Sequence, residues 1–114
     1  MTKIALCAVS EVEAGSMKRI DVSFHDEPLR LCVINLGEDV YVVDDRCSHA
    51  DFSLSEGFLD ADAHEVECPK HGALFDITNG AVKCLPATEP VKTYKAEIEN
   101  DNIFIYYLLK NNID

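Results

Sequence analysis

Positively charged residues are scarce in this chain. Its 114 residues include 10 Lys and Arg against 21 Asp and Glu, a formal net charge of −11 at pH 7. Proteins that bind nucleic acid carry an excess of Lys and Arg to neutralise phosphates, and the same acidic balance repels anionic membrane surfaces. We therefore expect neither a nucleic-acid partner nor a membrane partner.

Long apolar runs are missing as well. A membrane-spanning helix needs about 20 consecutive apolar residues, and no run in the chain approaches that length. Residues 4–9 are apolar, but the run is too short for the core of a signal peptide. We therefore expect a cytoplasmic protein, in which the five cysteines are better explained as buried thiols or metal ligands than as disulfides.

Composition and apolar pattern predict one all-β domain. Hydrophobic residues make up 47% of the chain and charged residues 27%, which is ordinary for a globular domain. No segment keeps a 3.6-residue apolar period over three turns, so long helices are not expected. Short runs rich in Val, Ile and Leu alternate with turn residues instead. The predicted strands are residues 3–9, 17–23, 29–35, 40–43, 91–98 and 103–109, with hairpin turns at 36–39 and 99–102.

Residues 44–86 depart from this strand pattern. Glycine and proline interrupt the stretch repeatedly, and between residues 44 and 76 nine acidic residues stand against Arg46 and Lys70. Loops on a rigid scaffold often carry function. We therefore expect the functional site in this stretch.

Two cysteine–histidine pairs lie there, Cys47 with His49 (C-x-H) and Cys68 with His71 (C-x-x-H). One interpretation is four unrelated polar residues in loops. A second is a Cys₂His₂ zinc site, although zinc knuckles usually space their first two ligands by two to four residues. A third is a pair of irons bridged by two sulfides, in which each loop supplies one ligand to each iron. The cysteines would then bind one iron and the neutral imidazoles the other. Such a cluster is less negative than one with four thiolate ligands, so it accepts an electron more easily.

The two pairs and their surroundings resemble the Rieske [2Fe–2S] family, whose pattern is C-x-H, a spacer and C-x-x-H. The matching stretches are Cys47-Ser48-His49, Ser53-Leu54-Ser55-Glu56-Gly57, Cys68-Pro69-Lys70-His71-Gly72, Phe75-Asp76, Thr78-Asn79-Gly80 and Leu85-Pro86-Ala87. The resemblance covers the whole chain. It is strongest to the small ferredoxins of bacterial ring-hydroxylating oxygenase systems.

This resemblance implies a fold, a cofactor and a set of ligands. The fold is an antiparallel β-sandwich, a single domain of residues 1–114 with a cluster-binding subdomain at about residues 45–86. The cofactor is one [2Fe–2S] cluster. Its ligands would be Cys47, His49, Cys68 and His71.

The function implied is one-electron transfer by a carrier that is not itself an enzyme. A flavin-dependent ferredoxin reductase would supply the electron and a terminal non-haem iron oxygenase would receive it, with the carrier a monomer. The chain is too short for the oxygenase's own 2-His-1-carboxylate domain, and we expect the two remaining histidines, His25 and His64, at the surface. The alternatives are the small Rieske-like subunit of an assimilatory nitrite reductase and a non-redox zinc-binding interaction module.

Residue differences at individual positions distinguish this chain from the respiratory members of the family. Those proteins carry an extra cysteine in each loop, and the matching positions here are Phe52 and Lys70, so the disulfide across the cluster cannot form. They also place a serine and a tyrosine hydroxyl near the cluster, where this chain has Ala73 and Phe75. Neither of these side chains can donate a hydrogen bond.

The other residues of note are expected to be structural. Cys7, Cys32 and Cys84 are predicted to pack as small hydrophobic side chains. The alternative for Cys84, which precedes Leu85-Pro86, is a place near the edge of the cluster. The Asp44-Asp45 pair and Glu89 are interpreted as solvated loop charges.

The acidic stretch also suggests how a partner docks. If its carboxylates surround the two loops, the partner surface should carry Lys and Arg around an apolar centre. Phe52, Pro69 and Pro86 are the candidate contacts on this side.

We predict a reduction potential near the bottom of the range of Rieske centres, which is about −150 to +300 mV. Ala73 and Phe75 provide no hydrogen bonds, so the more negative reduced state is stabilised less. We also expect the potential to be flat around neutrality, because the histidine ligands of the oxidised cluster should release protons only well above pH 7. Protein-film voltammetry across pH measures both, and a value above about +100 mV, in the upper part of that range, would contradict the donor argument.

Overall fold

The protein folds into three antiparallel sheets. The computed structural model describes residues 2–47, 52–70, 72–85 and 89–107. The strands are β1 (Thr2–Ala8), β2 (Ser16–Phe24), β3 (Glu27–Asn35), β4 (Val40–Asp44), β5 (Phe58–Asp60), β6 (Glu65–Glu67), β7 (Leu74–Asp76), β8 (Val82–Cys84), β9 (Thr93–Tyr94), β10 (Ala96–Glu99) and β11 (Asn102–Tyr107). Short 3₁₀ helices lie at Val9–Glu11 and Leu54–Glu56. Within these ranges, no helix has the length and apolar character needed to cross a bilayer.

The strand orders are β1-β11-β10 in the first sheet, β2-β3-β4-β9 in the second and β5-β6-β7-β8 in the third. The prediction of an all-β antiparallel fold is therefore confirmed. The predicted strand at 91–98 proves to be two strands: β9 pairs with β4 and β10 pairs with β11. An apolar pattern predicts extended chain but does not show where that chain passes from one sheet to another.

Both predicted hairpin turns are present. The Leu36 N–H donates to the Asp39 carbonyl at 2.9 Å. At 99–102, Asn100 and Asp101 have φ values of 52° and 65°, as a two-residue turn between right-twisted strands requires. Since the turn at 36–39 joins β3 to β4, it also sets which residues of those strands lie opposite one another.

The second sheet is the middle layer because β3 and β4 bury side chains on both faces. Successive side chains of a strand point to opposite faces. Leu31 and Val33 of β3 pack in one core with Ile103 and Ile105 of β11. The alternate β3 residues, Cys32 and Ile34, lie in a second core with Val66 and Phe75 of the third sheet. Cys47 and Cys68 belong to this second core.

Gly80 brings the third sheet against the segment before β9. Its φ is +78°, and its carbonyl accepts the Val91 N–H at 3.0 Å. A Cβ at this position would lie 2.1 Å from the Val91 carbonyl oxygen. Only glycine fits both the backbone conformation and the close approach.

We expect Gly80→Ala to destabilise the protein more than Gly15→Ala does. Gly15 has a similar φ of +84° but nothing within 4 Å of an added Cβ, so its substitution measures the conformational cost alone. The extra loss at Gly80 should be about 1–3 kcal/mol, the usual cost of overpacking. Thermal unfolding followed by circular dichroism tests this, and equal melting temperatures would show that the contact with Val91 costs nothing.

Candidate metal centre

Cys47 and Cys68 meet inside the protein although they lie far apart in the sequence. Their relative exposures are 2% and 0%. Both belong to one buried core, and the two thiols are close enough for Cys47 to affect the pKa of Cys68. Neither cysteine forms a disulfide. The two predicted cysteine ligands are thus brought together as reduced, buried thiols.

The surroundings of these thiols suit metal binding rather than free reactivity. Burial raises the pKa of the Cys68 thiol to about 11, against the effect of the Lys70 N–H, and the Cys47 thiol adds to the rise. A thiol with this pKa is protonated at pH 7 when no metal is bound. Because a metal binds the thiolate, the metal must displace this proton.

The first loop follows β4 and returns to the sheet within a few residues. The Cys47 N–H donates to the Phe52 carbonyl at 2.9 Å, and Arg46 pairs with Ser53 in an antiparallel bridge. These contacts fix the position of Cys47. The predicted ligand His49 lies outside the described residues.

Asp45 holds this loop to the central sheet from a fully buried position, with a relative exposure of 0%. Its N–H donates to the Arg30 carbonyl at 2.9 Å, and its own carbonyl accepts the Leu54 N–H at 2.6 Å. Its carboxylate accepts the Ser55 N–H at 2.8 Å and the Arg30 Nε–H at 3.3 Å. One residue therefore binds both the sheet and the far side of the loop.

Two further contacts reinforce Asp45. The Arg19 Nε lies 4.0 Å from its carboxylate, and the Arg30 guanidinium also donates to the Ser53 hydroxyl at 2.7 Å. The interpretation of Asp45 as a solvated loop charge is therefore wrong. The sequence did contain a signal for this contact, the hairpin turn at 36–39. Because this turn pairs β3 with β4 so that Leu31 lies opposite Asp44, it also brings the next two residues, Arg30 and Asp45, together.

The second loop connects the end of β6 to the start of β7. The Cys68 N–H donates to the Ala73 carbonyl at 2.8 Å, and Gly72 makes the return with a φ of +71°. Pro69 and Lys70 are exposed at the tip. The predicted ligand His71 lies outside the described residues.

Ala73 and Phe75 line the protein side of the second loop. Both are 0% exposed and share the core with the two thiols. Since neither side chain carries a hydrogen-bond donor, as the sequence predicted, both positions are apolar and closed to water.

The remaining cysteines divide into packed and exposed ones. Cys32 is buried, with its sulfur 3.8 Å from the Met17 sulfur, so the packing prediction is confirmed there. Cys7 is half-buried and meets the prediction in part. Cys84 is exposed, and the packing prediction is wrong there. It is the last residue of β8, an edge strand of the third sheet, where it lies opposite Leu74.

The two spare histidines both lie at turns. His25 is exposed, as predicted. His64 is half-buried, with its ring edge-on to Tyr41 at 5.9 Å between centroids. Asp44 is half-buried too, and it accepts the Tyr94 hydroxyl at 2.6 Å instead of being solvated.

The acidic residues between positions 44 and 76 do not all surround the two loops. Asp60, Glu65 and Asp76 are cross-strand neighbours at one end of the third sheet. Glu67 lies at the other end, next to Cys68 and opposite Phe58. At roughly 3.3 Å per residue along a strand, the first row lies about 7 Å farther from the loops than Glu67 does. Counting charges along the sequence could not separate the two ends.

The described residues fit half of the predicted cofactor site. Within residues 2–47, 52–70, 72–85 and 89–107, no group of three His, Cys, Asp or Glu side chains converges on one point. Two adjacent thiols from closed loops are nevertheless the soft donors that an iron of an iron–sulfur cluster requires. The remaining donors would have to come from residues beyond those ranges, which include both loop histidines.

Comparison with known proteins agrees with this geometry. A family model described as the Rieske [2Fe–2S] domain matches residues 2–95. The 3-phenylpropionate/cinnamic acid dioxygenase ferredoxin subunit of Escherichia coli K12 is 44% identical over 105 residues, which cover 92% of this chain and 93% of that protein.

Solved structures show the same fold. The Sphingomonas yanoikuyae B1 ferredoxin is 34% identical, with a TM-score of 0.81 over 94% of this chain and 100% of that one. A chain in a complex of reduced oxygenase and oxidised ferredoxin of carbazole 1,9a-dioxygenase is 30% identical, with a TM-score of 0.77 over 90% of this chain and 91% of that one.

We expect Asp45→Asn to destabilise the protein by about 1–3 kcal/mol, because it removes the charge that the Arg30 and Ser55 hydrogen bonds depend on. Asp62→Asn is the control, since it removes one negative charge from an exposed turn. Thermal unfolding of both variants tests the expectation. If the two melt at the same temperature, the buried carboxylate does not stabilise the loop.

Proposed function

The chain belongs to the Rieske [2Fe–2S] domain family, and we propose that it is the ferredoxin of a ring-hydroxylating oxygenase system. Members of this kind are electron carriers with one [2Fe–2S] cluster, not catalysts. The proposed route passes one electron from a flavin-dependent reductase to a terminal non-haem iron oxygenase, through a monomer in the cytoplasm. One observation carries the proposal: buried thiols from a C-x-H and a C-x-x-H loop meet in a chain 44% identical to a dioxygenase ferredoxin subunit.

The proposed ligands are Cys47 and Cys68 for one iron and His49 and His71 for the other. When bound, a Rieske cluster takes up and returns one electron. The burial of both cysteines favours this assignment, because it keeps the sulfur end of the site away from water. The proposed cluster-binding subdomain, residues 45–86, contains both loops and the whole third sheet.

An apolar surface at the same end of the molecule supports docking of a redox partner. Phe52, Phe58 and Leu85 are 40%, 65% and 72% exposed, and they are three of the four large hydrophobic side chains exposed among the described residues. Phe52 closes the first loop on Cys47, and Phe58 lies opposite Glu67, next to Cys68. Exposed apolar groups gathered in this way are typical of a protein interface.

The carbazole 1,9a-dioxygenase structure holds a related ferredoxin with its oxygenase, which supports an oxygenase as the electron acceptor. Phe58 and Leu85 extend the contacts predicted from the sequence, of which Phe52 and Pro69 are exposed. Pro86, the third predicted contact, lies outside the described residues.

The ligand proposal predicts two irons and two acid-labile sulfides per chain. His49→Asn and His71→Asn should each abolish the cluster, because an amide does not replace the imidazole ligand. His25→Asn and His64→Asn are the controls, and Asn is suited to the left-handed backbone at both positions, where φ is 51° and 56°. Iron and sulfide analysis of anaerobically purified protein measures the outcome. One zinc per chain without sulfide would overturn the proposal in favour of the zinc module.

The docking proposal predicts electron transfer that depends on salt. The rate to the cognate oxygenase should fall several-fold as ionic strength rises from about 10 to about 500 mM, since the screening length drops from about 30 Å to well under 8 Å. Charge complementarity of this kind mainly raises the association rate. Stopped-flow oxidation of the reduced carrier by the oxygenase gives this rate.

Two triple variants with the same change in charge locate the patch responsible. Asp51→Asn, Glu56→Gln and Glu67→Gln together neutralise acids in and beside the two loops, and they should slow the low-salt rate. Asp60→Asn, Asp62→Asn and Glu65→Gln neutralise the far end of the third sheet and should slow it less. If both triple variants slow the low-salt rate equally, the effect is due to net charge. If neither variant slows it, the acidic residues contribute only to solubility.

A further inference from the structure

One side-chain contact joins the two cysteine loops from outside. The Lys70 ammonium nitrogen lies 4.9 Å from the centre of the Phe52 ring. Phe52 belongs to the first loop and Lys70 to the second. At this distance a cation is attracted to the face of an aromatic ring.

Each of these residues lies close to a cysteine along its own loop. The Phe52 carbonyl accepts the Cys47 N–H at 2.9 Å, and Lys70 follows Cys68 by two residues in the second loop, which the Cys68 N–H closes on the Ala73 carbonyl at 2.8 Å. The contact between Phe52 and Lys70 therefore joins the loop of Cys47 to the loop of Cys68 on their outer side.

The composition of the surrounding chain makes this lysine unusual. Between residues 44 and 76 the only other cation is Arg46. Lys70 is exposed and Phe52 is 40% exposed, so burial in the core does not hold the two side chains together. The two side chains therefore meet at the surface, where their own attraction contributes to the contact.

We propose that Phe52 and Lys70 form a non-covalent clasp that slows the opening of the two loops and hence the loss of the cluster. Both act as positioning residues, since they hold the ligand-bearing loops and do not bind the iron. The inference rests on the proposed ligation by the two loops. The contact between Phe52 and Lys70 would stabilise the cluster in addition to its four ligands, although neither residue is a ligand.

The clasp can be tested by the rate at which an iron chelator bleaches the visible absorbance of the oxidised holoprotein under anaerobic conditions. Lys70→Gln removes the cation, and Phe52→Leu removes the ring but keeps an apolar side chain. Each should speed bleaching by about 2- to 5-fold, the factor that corresponds to an exposed cation–π contact of about 0.5–1 kcal/mol. The double variant should bleach no faster than either single one, because both changes remove the same contact.

Matched controls separate the clasp from general effects of charge and surface. Lys70→Arg keeps a cation over the ring and should bleach at the wild-type rate. Lys83→Gln removes another exposed lysine, and Phe58→Leu removes another exposed ring. Both should also match the wild type.

The reduction potential provides an independent readout. Lys70→Gln should lower the potential, since a positive charge beside the cluster is lost, whereas Phe52→Leu should leave it unchanged. Wild-type bleaching rates for Phe52→Leu, or single effects that multiply in the double variant, would overturn the clasp. Wild-type protein that contains no iron and sulfide would instead overturn the proposed function, so the two failures can be told apart.

Discussion

The buried carboxylate of Asp45 is the contact on which the rest of the site depends. A β-sheet fixes the positions of its own residues, but a cysteine in a loop is fixed only if the loop is bound to the sheet. Asp45 provides this connection, because its N–H belongs to the central sheet while its carbonyl and carboxylate accept two N–H groups from the far side of the first loop. Its charge is compensated by Arg30 at 3.3 Å, so burial does not leave it unpaired.

The second sheet explains why the two thiols are shielded from water. Strand β3 buries Leu31 and Val33 on one face and Cys32 and Ile34 on the other, which makes its sheet the shared wall of two cores. The third sheet is small, with three residues in each strand, and it could not bury a core by itself. Packed on this wall, it carries the second loop to Cys47.

Much of the fold follows from local pattern, whereas much of the site depends on long-range pairing. Short runs rich in Val, Ile and Leu between turn residues predicted the strands of the two large sheets, and the cysteine–histidine spacing predicted which loops matter. Interruption by glycine and proline concealed the four short strands of the third sheet. Because those strands were not recognised, the separation of Asp60 and Glu65 from Glu67 was missed, and so was the exposure of Cys84 on an edge strand. Asp45 was misinterpreted because its partner Arg30 is distant in sequence. The two residues are adjacent only through the β3–β4 register.

The cluster end of the molecule has to satisfy two opposing requirements. An electron carrier must present apolar surface that a partner can cover, and Phe52, Phe58 and Leu85 are accordingly exposed. These exposed side chains add no core packing at the outer side of the loops. Backbone hydrogen bonds close each loop on itself, from Cys47 to Phe52 and from Cys68 to Ala73, but they do not bind one loop to the other. The proposed clasp of Lys70 and Phe52 acts between the loops and leaves Phe58 and Leu85 exposed for a partner, so it adds stability at the cost of one ring of the apolar surface.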